Sequence, residues 1–179
     1  PAPHKERAET AYRTGLRIVE MVEEDLTPSK ILTRDAFENA IVVNSAIGGS
    51  TNAPIHLNAI ARHANIELDI SEWETIGLAV PLLVNLQPAG EYLGEAYHQA
   101  GGVPAVMHEL LNAGRLHGSC MTVAGTTVEE NCVNTPPLNT DVIRSYESPM
   151  MENAGFAVLK GNVCDAAIMK TSVISDEFR

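Results

Sequence analysis

Between His4 and Asp25 the apolar positions Ala11, Gly15, Ile18, Val19 and Val22 recur at helical spacing with charges between them. This pattern predicts an amphipathic helix. Its end, Glu23-Glu24-Asp25, sets negative charge against the helix dipole and predicts a fraying terminus. Thr33 as cap and Asp35 in the first turn open a second helix, which carries Phe37, Ala40, Ile41 and Val43 up to Gly48-Gly49. A third helix then offers Ile55, Ala59 and Ile60 to a core and tolerates Pro54 because it lies in the first turn. Ser71 and Glu74 form a capping-box pattern before a short helix that Pro81 ends. Leu82 to Leu86, bounded by prolines, reads as a buried strand. Glu91–Ala100 and Val103–Ala113 read as helices parted by Gly101-Gly102, with Gly114 as C-cap. Thr126 with Glu129, or Thr127 with Glu130, caps another short helix.

The character changes after Asn134. Thr135-Pro136-Pro137-Leu138-Asn139 reads as a linker, and strand-like runs follow at Asp141–Tyr146, Phe156–Lys160 and Ala167–Ile174, with a turn at Gly161-Asn162. The predicted layout is α/β: a helix-rich part over 1–134, a linker over 135–140, and the first strands of a β-rich unit over 141–179. The chain begins at Pro1 without Met and stops at Arg179 directly after an apolar run, so it reads as a piece of something longer.

Composition narrows the function classes. At 179 residues, 45% hydrophobic and 20% charged, the chain can bury a real core, and with 4% aromatics that core must be mainly aliphatic. A formal net charge of −11 argues against nucleic acid or an anionic membrane as partner. No apolar run approaches a membrane span, no signal peptide is visible, and three scattered cysteines suggest no disulfide framework, which together point to the cytoplasm.

The richest chemical feature is Asn44 to Asn52. Paired glycines permit positive φ and close approach, and Ser50, Thr51 and Asn52 are good N-caps at a helix start, where free N–H groups attract anions. The same nine residues also suit an ordinary helix–Gly-Gly–helix corner. They lack the lysine of a P-loop. His56 and His63 could share a helix face but have no partner at ligand spacing, and His98, His108 and His117 are scattered. Cys120 and Cys132 read as small buried residues, and Lys160 and Lys170, within strand-like runs, read by default as surface lysines. Spacing alone therefore names no catalytic residue and no metal ligand.

Six collinear strings nevertheless resemble one family. They are Ala36-Phe37-Glu38-Asn39-Ala40, Gly48-Gly49-Ser50-Thr51-Asn52 with His56-Leu57, Val80-Pro81-Leu82-Leu83, Ala100-Gly101-Gly102-Val103, Asn153 to Leu159 with Gly161-Asn162, and Ile168-Met169-Lys170-Thr171. Together the chain resembles the dihydroxy-acid and sugar-acid dehydratases, the group that includes 6-phosphogluconate dehydratase. The resemblance implies loss of water from a 2,3-dihydroxy acid to give a 2-keto acid, helped by an iron–sulfur cluster and Mg²⁺. It implies an α/β N-terminal domain, of which 1–134 is the C-terminal half, then a β-barrel-like domain with the site between them. A homodimer or homotetramer acting on a small acid follows from it. Cys120, Cys132 and Cys164 fall at none of the family's cluster positions, so the resemblance places cluster and metal ligands outside this chain and predicts that the chain alone is inactive. Ser50, Thr51 and Asn52 remain as candidate substrate-binding residues. Pro54-Ile55-His56-Leu57, Ala61-Arg62-His63 and Asp165 to Ser172 look more like the arabonate and xylonate dehydratases. The alternatives are the dihydroxy-acid dehydratases of branched-chain amino-acid synthesis and a non-catalytic module that binds a small acid on the same scaffold.

Overall fold

The computed structural model describes residues 4–175 and 177. Pro1 and Arg179, the two ends on which the sequence was read as a piece of something longer, lie outside the described residues. The helices are α1 (Glu6–Glu23), α2 (Pro28–Ile31), α3 (Arg34–Ile47), α4 (Asn52–His63), α5 (Glu72–Gly77), α6 (Gly94–Gln99), α7 (Gly102–Asn112) and α8 (Val128–Cys132). Strands β1 (Phe156–Leu159) and β2 (Ala167–Lys170) follow, with a 3₁₀ turn at Thr171–Val173. The strands pair antiparallel, Phe156 opposite Lys170 and Leu159 opposite Ala167. The architecture is a mixed, helix-rich one carrying a small two-stranded sheet. None of the described helices is long and apolar enough to cross a membrane.

Helix α3 is the hub because apolar side chains face two directions from it. Val42 and Ala46 join the extended segment at Val80–Val84, α7 through Ala105, Val106 and Leu110, and the later residues Val142 and Ile143. One residue round the helix, Ile41 joins Trp73 of α5 and Phe156 and Val158 of β1. Buried polar side chains pin the connecting loops. Asn39 donates to His117 O at 3.0 Å and accepts from His117 N at 2.8 Å. Asn85 does the same between Asp141 O and Glu91 N.

Several elements differ from the sequence reading for physical reasons. Helix α1 forms, but Leu16, Ile18, Val19 and Val22 are exposed among the described residues. At its acidic end the Arg17 guanidinium holds Glu24 through both Nη atoms, each at 2.7 Å, and Asp25 turns left-handed beyond the helix. Helix α4 buries Pro54 and Ala61, with Ala53 and Leu57 packed beside Trp73, so Ile55, Ala59 and Ile60 face outward. Ser71 stands at the N-cap of α5 but makes no side-chain cap bond, and the bonds that fix this turn belong to Asp69. Its Oδ1 accepts from Ser71 N at 2.8 Å while Glu72 reaches back to Asp69 N at 2.8 Å. Leu82 to Leu86 is extended and mostly buried, but its bridges go to Met151, Ile143 and Tyr92 in turn, so it lies in no regular sheet. Asp141 to Tyr146 turns rather than forming a strand, because Asn139 captures the N–H groups of Asp141, Val142 and Ile143.

Of the two capping boxes open at α8, the second forms. Thr127 Oγ1 accepts from Glu130 N at 3.2 Å and Glu130 Oε2 accepts from Thr127 N at 2.7 Å. Thr127→Ala is expected to cost about 1 kcal/mol. At this chain length that is a melting shift of about 2–4 °C. Thr126→Ala, which removes an exposed hydrogen bond to the Asn131 side chain, should stay within about 0.5 kcal/mol. Paired thermal melts separate the two.

Candidate functional site

Helix α3 ends where Gly48 enters the left-handed region at φ 65°. Gly48 N donates to Ser45 O at 3.0 Å and Gly49 N to Asn44 O at 2.8 Å, which satisfies the last carbonyls of the helix. Neither position has room for a side chain. A Cβ on Gly48 would stand 2.9 Å from Leu82 Cδ1, and one on Gly49 would stand 1.9 Å from Asn44 Oδ1. The corner is therefore set by close packing on both flanks.

The three residues that the sequence nominated lie at the start of α4 and are exposed. Ser50 closes the turn: its Oγ accepts from Asn52 N and its carbonyl from Ala53 N, both at 3.1 Å. Thr51 sits at the N-cap position but makes no side-chain cap bond. With the N–H groups of Asn52 and Ala53 taken by Ser50, and none on Pro54, this helix start keeps little of the anion-binding capacity expected of it.

The cation at the corner comes from the other end of the chain. Lys170, read from sequence as a surface lysine, ends β2 half-buried, and its Nζ donates to Gly48 O at 2.9 Å. Burial pulls its pKa below the usual lysine value. Ser172 follows on the 3₁₀ turn, 3% exposed, with its Oγ 3.3 Å from the point a Gly48 Cβ would occupy. No local signal in the sequence links residues 48 and 170. Lys160, by contrast, is exposed as expected.

His56 and His63 are exposed. His108 Nδ1 lies 3.0 Å from Cys132 O, and its Nε2 3.0 Å from Asn112 Nδ2. His98 meets the His4 ring edge-on at 5.8 Å. One grouping was missed by sequence: Asp35, Glu38 and His117 each bring a possible ligand atom within 4.8 Å of the others. The helical spacing of Asp35 and Glu38 could have suggested that pair, but nothing local points to His117.

A family model for the N-terminal part of the dihydroxy-acid/6-phosphogluconate dehydratases matches residues 1–131, most of the chain. The chain belongs to this dehydratase family. Among curated relatives, D-xylonate dehydratase of Caulobacter vibrioides is 53% identical over 179 residues, covering 100% of this chain and 30% of the relative. L-arabinonate dehydratase of Rhizobium leguminosarum bv. trifolii is 46% identical over 98% of the chain and 30% of its own length. Dihydroxy-acid dehydratase of Caldanaerobacter subterraneus subsp. tengcongensis is 45% identical over 99% of the chain and 32% of its own length. The chain thus spans about a third of the length of the dehydratases that it matches.

The described residues do not fit the two cofactors that the dehydratase resemblance implies. Cluster ligands are thiolates, yet Cys120 and Cys132 are buried, burial pushes both thiols up, and Cys164 is exposed between β1 and β2. Mg²⁺ takes oxygen ligands in a near-octahedral shell. Glu38 is instead committed to Arg34 Nε at 2.8 Å and His117 Nε2 at 2.9 Å, and Arg34 also grips Glu72. Arg34 holds the Glu38 and Glu72 carboxyls below the usual range, which is an ion-pair network pinning α3 to α5 and to the His117 loop.

Proposed function

We propose that this chain is part of a hydro-lyase that removes water from a sugar acid, an aldonate such as xylonate or arabonate, to give a 2-keto-3-deoxy acid. The observation that carries this reading is the 53% identity to D-xylonate dehydratase along the whole chain, against 45–46% for the other two dehydratases. In this reading the cluster and Mg²⁺ would be held by parts of the protein outside this chain, the cluster iron supplying Lewis acidity to the departing hydroxyl and Mg²⁺ orienting the carboxylate end. Residues 1–134 belong to the α/β domain, 135–140 are its linker, and the β1–β2 hairpin opens a β-barrel-like domain. The corner at Ser50, Thr51 and Asn52 lines the substrate cleft of a cytoplasmic homo-oligomer.

Two measurements test this. The complete protein should contain iron and sulfide and should turn over D-xylonate or L-arabonate with a higher kcat/KM than a branched 2,3-dihydroxy acid. The reverse preference would assign it to branched-chain amino-acid synthesis, and binding without turnover would make it a non-catalytic module. For the corner, Thr51→Ala is the informative variant because Thr51 makes no cap bond. It should lower kcat/KM about tenfold, the worth of one substrate hydrogen bond, with an unchanged melting temperature. Unchanged kinetics would remove Thr51 from the substrate wall.

A further inference from the structure

Helix α1 is turned inside out. Of its 18 residues only Arg17 and Met21 are half-buried, and every other one is exposed. Both meet the rest of the chain from the polar side. Arg17 Nε donates to Val123 O at 2.8 Å, and Met21 lines a cavity with Val123. The apolar side points away. Ala8, Ala11, Gly15, Ile18 and Val22 recur at alternating steps of three and four, which sets them on one line along the helix. Val19 lies beside that line, and at its far end Val22 is 78% exposed. Most helical stability in proteins comes from packing an apolar face, and α1 packs its polar one.

The outward line also has a shape. Its first half consists of small side chains, and a Cβ placed on Gly15 would meet nothing within 4 Å. Its second half, Ile18 and Val22, is β-branched and projects. Tyr12, 69% exposed, and Leu16 stand as a wall along one side. A shallow channel at heptad spacing is the complement of a second helix, whose larger side chains enter over Ala11 and Gly15.

Area decides between a separate chain and the same one. At about 1.5 Å per residue the helix offers a strip about 27 Å long and one helix wide. That is well short of the about 800 Å² per partner buried in a stable two-chain interface. A segment of the same polypeptide is held nearby at high effective concentration and needs no such area. Room for such a segment exists in the relatives: D-xylonate dehydratase matches this chain over its whole length, α1 included, yet the chain covers 30% of that protein.

We propose that the outward stripe of α1 seats a second helix of the same polypeptide, from a part that this chain does not include, with large apolar side chains over Ala11 and Gly15. Such a contact rests on the reading of this chain as part of a longer dehydratase, but not on which acid that enzyme takes.

The test uses the purified complete protein with the photoreactive p-benzoylphenylalanine in place of Tyr12, at the edge of the stripe. Irradiation should give a product of single-subunit mass on a denaturing gel. Peptide mass spectrometry should place the far end of its crosslink outside this 179-residue stretch. A product of twice the subunit mass would make the occupant a second copy. A crosslink within the stretch, or none, would leave the stripe uncovered, and each of these results overturns the proposal. Gly15→Leu gives a second readout whose sign separates the cases. On an open helix face it improves helix propensity and raises the melting temperature, whereas under a closely packed helix it overfills the contact. The melting temperature of the complete protein is expected to fall by a few degrees, and an unchanged or higher value contradicts a covered stripe. A complete protein that dehydrates no aldonate but gives the intrachain product would remove the proposed function and keep this contact. An active aldonate dehydratase without that product would remove the contact alone.

Discussion

Gly155→Ala is expected to be strongly destabilising, by about 3 kcal/mol, the upper end for an overpacked interior. At this chain length that lowers the melting temperature by about 6–12 °C. The cause is backbone against backbone. A Cβ at Gly155 would lie 1.9 Å from Gly77 O and 2.5 Å from Gly77 C, atoms that cannot rotate away. The clash would spread through a stack. Gly77 itself lies against α3, where its own Cβ would meet Ser45 Oγ at 2.7 Å. On the far side, the Gly155 carbonyl accepts from Thr171 N at 3.0 Å and Thr171 Oγ1 at 2.9 Å. Pushing β1 off α5 therefore moves Thr171, and with it Lys170 and Ser172, away from Gly48. Thermal melts followed by circular dichroism check the stability. A variant melting within a degree or two of the parent would mean that the hairpin does not dock this closely.

Trp73→Ala is expected to cost about 3–5 kcal/mol, as for a large aromatic removed from a core. Trp73 is fully buried, meets Phe156 edge-on with centroids 5.4 Å apart, and donates from Nε1 to Asn58 Oδ1 at 3.0 Å. It ties α4, α5 and β1 together, so its loss opens a cavity and also strands the Asn58 oxygen. Trp73→Phe separates the two contributions: it keeps most of the apolar volume and should cost about 1–3 kcal/mol, largely from the unpaired acceptor. Denaturant unfolding of both variants reads the difference. A loss below about 1 kcal/mol for the alanine variant is incompatible with the buried position.

What was legible in the sequence was local. The Thr33 cap, the Gly48 stop, the Thr127–Glu130 box and the Gly114 stop each lie within a few residues of the groups they satisfy, and each forms. Legibility fails where a distant partner or a competing side chain decides. Asp141 to Tyr146 has the apolar pattern of a strand, but the Asn139 side chain and carbonyl take its N–H groups first. Ser71 matches a capping box, yet Asp69 two residues earlier accepts from both its N–H and its hydroxyl. At the corner, Ser50 to Asn52 were visible because glycines and cap residues are adjacent in sequence. Lys170 and Ser172 were not, because only the fold of the hairpin onto α5 brings them to Gly48.

That long span has a consequence for synthesis. Lys170 and Gly48 are 122 residues apart in the chain. At about 5–20 residues per second, a ribosome needs roughly 6–24 s to pass from one to the other. During that interval α3 and its left-handed stop can form from their own residues. The Gly48 carbonyl and the groove beside Leu82 meanwhile wait without the hairpin. The corner is thus completed well after α3 itself can form.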